Sequence, residues 1–110
     1  MQCNIYNYND MPKIFEYFGL IFYFYSNEHE PVHVHVKVGE NESVFELIMM
    51  EGKLSAIKTR HKTGILPLSG KDEKTAKEFI EKYHKNILEK WFKFFVMKQA
   101  IRSTRITKKI

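Results

Sequence analysis

The sequence predicts an α+β domain, a three- to four-stranded antiparallel meander covered on one face by one long or two shorter C-terminal helices. Three observations lead there. Leu20 to Tyr25 is apolar or aromatic at every position, Val32 to Val38 alternates strictly, and an apolar period of three and four residues takes over after residue 70. With 110 residues, 44% of them hydrophobic and 28% charged, the chain has material for one core and not for two.

Met1 to Asp10 is polar and aperiodic and is expected to be a flexible leader before a domain spanning residues 11–97. The Leu20–Tyr25 run suits a central strand, because such a segment would aggregate at an exposed edge. Ser26-Asn27-Glu28-His29-Glu30-Pro31 reads as a turn, since proline cannot donate to a ladder and asparagine favours loop geometry. In the second strand the four valines 32, 34, 36 and 38 share one face, and His33, His35 and Lys37 share the other. Gly39 to Glu42 closes a hairpin, Ser43 to Met50 forms the third strand, and Glu51-Gly52-Lys53 turns into a fourth, Leu54 to Thr59. Gly64, Pro67 and Gly70 punctuate a connecting loop. Beyond it Ala76, Phe79, Ile80, Tyr83, Ile87, Leu88, Trp91, Phe92 and Phe95 make an apolar helical stripe, begun by Ser69 or Asp72 as cap. A break near Asn86 would divide it into two helices, and periodicity does not decide between one and two.

The net charge of +5 is unevenly placed. Residues 98–110 hold Lys98, Arg102, Arg105, Lys108 and Lys109 with no acid, leaving thirteen basic against thirteen acidic residues in the rest. The segment reads as a flexible basic tail able to strengthen a contact with phosphates. The single cysteine, Cys3, excludes an intrachain disulfide and multi-thiolate zinc sites, and the run at 20–25 is too short to span a bilayer. The chain is expected to be cytoplasmic, with no membrane partner.

Chemistry concentrates at His29, His33 and His35. On a strand, residues two apart project to the same side, so His33 and His35 can act as a general acid and base, with His29 as a third candidate. The same residues, with Glu28, could instead ligate a divalent metal ion. An amphipathic strand also places polar residues outward whatever they do, so a purely solvating role stays open beside both. Lys37, Lys58, Arg60 and Lys62 are candidate phosphate contacts, within a basic stretch that also includes Lys53 and His61, and Tyr23 and Tyr25 can stack on bases. No glycine-rich phosphate loop, nucleophile elbow or H-E-x-x-H helix occurs.

Met11-Pro12-Lys13-Ile14, Phe18-Gly19-Leu20, Tyr25 and His29-Glu30-Pro31-Val32-His33-Val34-His35 resemble the pattern M-P-x-I, F-x-G-I, D-H-x-P-P-H-F-H-A of a small prokaryotic family of unknown function, DUF4160. The likeness runs from residue 11 to about 92 and includes Trp91; Glu28 stands where the family has Asp, and Val32 where it has a second Pro. The resemblance implies a shared histidine motif and a domain starting at Met11. It also implies a small protein encoded nearby as partner, in toxin and antitoxin-like pairs, without supplying a reaction. Two functions follow as expectations: a toxin-like module that binds or cleaves RNA, or a non-catalytic interaction or regulatory domain whose histidines hold a metal.

Overall fold

The computed structural model describes residues 11–25 and 31–110. The fold is α+β. Strands β1 (Lys13–Tyr17), β2 (Leu20–Tyr23), β3 (His33–Val38), β4 (Asn41–Met50) and β5 (Lys53–His61) precede helix α1 (Gly70–Trp91), a π-helical segment (Phe92–Val96) and β6 (Thr104–Ile106). They form one sheet in the order β5-β4-β3-β2-β1-β6. Neighbours from β1 to β5 are antiparallel, and β6 lies parallel to β1.

Tight turns set the register of the meander. Phe18 and Gly19 both have positive φ (44° and 86°), as do Glu51 and Gly52 (52° and 80°), the backbone of a two-residue turn whose twist matches that of the flanking strands. Phe at the first of these positions is unusual, which is why no Asn-Gly or Asp-Gly signal announces the β1–β2 hairpin. A bulge between Lys13 and Phe15 further hides β1, because it puts the consecutive residues Ile14 and Phe15 both in the core and destroys the period of two.

The expected sheet of three or four antiparallel strands is therefore too small, and the sheet is mixed. The second correction concerns residues 98–110. Instead of forming a free tail, they return to β1, where Phe15 pairs with Thr104 and Tyr17 with Ile106. Lys90 anchors this return: its Nζ donates to the carbonyls of Ile14 (2.8 Å) and Arg102 (2.6 Å) and to Thr104 Oγ1 (3.0 Å), and sits 4.4 Å above the Phe15 ring. Burial, and secondarily Lys93, lower the Lys90 pKa against the opposing pull of Glu89. Arg105 adds an ion pair to Glu16 at 3.1 Å.

Ser69 caps α1, accepting from the Asp72 amide at 3.1 Å, with Asp72 and Glu73 favourably placed in the first turn. The helix is kinked at Tyr83, whose backbone is non-helical (φ −105°, ψ 18°), so that two helical halves meet there; the Tyr83 ring packs on Phe15 and Phe79 at 5.8 and 4.6 Å. The Glu81 carbonyl near the bend accepts from His84 Nδ1–H at 2.7 Å. Phe79, fully buried, joins helix to sheet: its ring lies 4.5 Å from Phe22, 5.0 Å from Tyr17 and 5.3 Å from Phe15. Phe94 and Phe95 of the π-helical segment close the far end of the core over Phe24. Among the described residues no helix is long and apolar enough to cross a membrane.

If Lys90 holds β6, Lys90→Met, which keeps the apolar stem and loses the ammonium, should cost about 1–3 kcal/mol. Amide exchange read by NMR should lose protection at Thr104–Ile106 while β3 and β4 stay protected. Retained protection at β6 would show that the strand pairing stands without the lysine.

Candidate functional site

The helix covers the face bearing Phe22, Val34, Val36, Phe45 and Leu47; His33 and His35 lie on the other. The expected common face is thus present, with ring centroids 5.5 Å apart. The expected exposure is not, since His33 is 5% and His35 2% accessible. Tyr25 accounts for part of the cover, lying parallel to the His35 ring at 3.9 Å, and Tyr23, directly opposite in the ladder, stacks at 5.5 Å.

Each imidazole is oriented through Nδ1. His35 Nδ1–H donates to Glu42 Oε2 at 2.9 Å, and His33 Nδ1–H donates to the Pro31 carbonyl at 2.6 Å. In the neutral rings these bonds make Nε2 the basic nitrogen, the arrangement that a proton-transferring histidine needs. Glu42 reaches His35 because the two-residue Gly39–Glu40 turn pairs Lys37 with Glu42 and His35 with Val44, leaving Glu42 diagonal to the ring. Lys62 completes the network: its Nζ lies 3.1 Å from Glu42 Oε2, donates to the Tyr25 hydroxyl and sits 4.4 Å from the Tyr25 ring centroid.

Burial by itself would raise the Glu42 pKa. The hydrogen bond from His35, the nearby Tyr23 hydroxyl and the Lys62 ammonium outweigh it and hold the carboxyl below its ordinary value of 4.5. Desolvation drives Tyr23 the other way, far above the usual phenol value, and the Glu42 charge adds to the shift. The Tyr23 hydroxyl is buried in the field of that carboxylate and makes no hydrogen bond of normal geometry among the described residues.

The candidate phosphate contacts converge on the same face. One row across the sheet runs Tyr23, His35, Val44, Arg60; the next runs His33, Glu46, Lys58; Lys37 lies opposite Glu42. Lys37, Lys58 and Arg60 are exposed and Lys62 is half-buried in the network, whereas His61, paired with Ser43, faces the opposite side. Lys53 begins β5 beside the Glu51–Gly52 turn. His29 and Glu28 lie outside the described residues. Among the residues described, no group of three or more His, Cys, Asp or Glu is arranged to hold a metal ion. The residue that sequence reasoning passed over is Glu42; imposing the shortest turn on Gly39–Glu40 would have placed it beside His35.

Because the Glu42 pKa is depressed on folding, its ionised form stabilises the protein fully above the ordinary carboxylate range, and that contribution is lost as pH falls through the folded value. Glu42→Gln should lower stability at pH 7 by about 2–4 kcal/mol, as expected when one partner of a buried charged network is removed. Its melting temperature should also fall less steeply than that of the wild type between about pH 5 and pH 3. Parallel acid limbs for the two proteins would mean that Glu42 is not the group titrating there.

No curated protein and no solved structure matches the chain. The profile of the domain of unknown function DUF4160 matches residues 19–92, which contain β2 to β5, both strand histidines, Glu42, Lys62 and the whole of α1. With more than half of its length matched, including every residue of the histidine network described above, the chain belongs to the DUF4160 family.

Proposed function

We propose that this protein is a small toxin-like module that binds RNA on the sheet face away from the helix, with His33 and His35 as its acid–base groups. The observation that carries the reading is the convergence on one face of Lys37, Lys58 and Arg60 with the two histidines, from strands β3 and β5. Exposed cations spaced across a sheet can follow a phosphate backbone, and they contribute affinity without reading sequence. The histidines do a different job. Shielded from bulk water and oriented through Nδ1, they suit proton transfer better than phosphate gripping, and Glu42 positions His35 as a carboxylate positions a catalytic imidazole. In this reading Arg105, paired with Glu16, adds little to binding, and the other basic residues of segment 98–110 act only as an auxiliary anchor. A small protein encoded nearby is the natural counterpart of such a module.

Filter binding with single-stranded RNA at several salt concentrations tests the face. A Lys58→Ala, Arg60→Ala pair should weaken binding and reduce the salt slope by about 0.7 for each phosphate that is no longer neutralised. In a cleavage assay on the same RNA, His33→Gln should lose activity while affinity stays within about twofold, as expected when a proton-transfer group goes and phosphate contacts remain. Wild-type protein that does not retain RNA at low salt overturns the proposal. Binding without cleavage removes the role given to the histidines.

A further inference from the structure

The sheet has two ends of different character. At one end β6 is three residues long; at the other β5 runs for nine, from Lys53 to His61, and its outer side is unpaired among the described residues. A long strand with unpaired backbone groups is a template for another strand unless something blocks it. The kind of strand that fits depends on what β5 displays.

Lys53, Lys58, Arg60 and Lys62 all lie between residues 53 and 62, a stretch without a single acid. Lys62 is held by Glu42 and Tyr25, but a second copy of the chain would bring its own Lys53, Lys58 and Arg60 to the seam, so like charges oppose self-pairing at this edge. An acidic strand meets the opposite situation. On the helix side, a cleft of about 540 Å³ separates β5 from the first half of α1. The half-buried side chains of Leu54 and Ile57 supply its apolar part, and Glu73, Lys74, Lys77, Glu78 and Glu81 of the helix line the rest.

We propose that the β5 edge is a docking site for an extended acidic segment of a partner protein, which adds to the sheet as a seventh strand. The period of two in such a segment dictates its composition. Side chains on one side come to lie beside Lys58 and Arg60 and are acidic. Those on the other side hang over the cleft beside Leu54 and Ile57 and are apolar. Main-chain hydrogen bonds to β5 supply affinity and the two rows of side chains supply selectivity, as in other strand-addition complexes. The inference rests on the edge, the cleft and the charge, and does not depend on the RNA reading.

A fluorescein-labelled peptide of alternating Glu and Val, titrated with the full-length chain and followed by anisotropy, tests it. The Glu-Val peptide should bind at least about tenfold more tightly than a Lys-Val peptide of the same length, because the charge row discriminates between them. Lys58→Glu with Arg60→Glu should reverse that preference. Two N-methylated versions then separate strand addition from simple ion pairing. Methyl groups on one alternate set of amides face β5 and should abolish binding, whereas methyl groups on the other set face away and should be tolerated. Equal effects of the two methylation sets, or a preference that survives the double charge reversal, would overturn the proposal. So would sedimentation showing that the free chain is a dimer that the Glu-Val peptide does not dissociate.

Discussion

The contact between Phe79 and the aromatic rows of β1 and β2 is the constraint on which the rest of the structure depends. It seats the helix on one face of the sheet and by doing so assigns the opposite face to everything that the helix does not cover. Strand β3, flanked on both sides, then turns Val34 and Val36 into core and His33 and His35 into site, with no freedom to exchange them short of a register slip that would bury the imidazoles under the helix. Burying one face and furnishing the other are therefore a single event.

The same dependence explains what was legible in the sequence. The division of β3 into two chemistries, the three hairpin-linked strands β3 to β5 and the apolar stripe of α1 could be read directly, because alternation and the helical period are local signals. Strands β1 and β6 were not readable, for two different reasons. A bulge erases the period in β1, and β6 exists only through pairings with residues some ninety positions earlier, which no window along the chain can detect. The expectation that His33 and His35 are exposed failed because alternation says which face a residue takes and nothing about what comes to lie over it; Tyr25, just beyond β2, supplies part of that cover.

Among the polar residues of the site, Glu42 and Lys62 have roles that composition alone would not assign. In isolation each is one more surface charge. Together they form a buried hub in which a carboxylate is shared between an imidazole and an ammonium, with tyrosines on its flanks. Removing any one member leaves its neighbours desolvated without compensation, so the cluster is mutually dependent and its members are expected to behave non-additively. His35 is accordingly both a structural and a functional residue, which makes His33 the cleaner probe of chemistry.

The parallel pairing of β6 with β1 bears on how the chain comes to be folded. During synthesis, strands β1 to β5 and their turns can assemble as each hairpin emerges, because every strand pairing among them is between sequential neighbours. The outer side of β1 must wait until residues 104–106 have left the ribosome, and Lys90 must already be in place to receive them. For that interval the nascent domain carries, among the described residues, two unpaired sheet margins instead of one. The hairpin closest to the start is the one exposed longest to other unfinished chains, a hazard that ends only when the last strand docks.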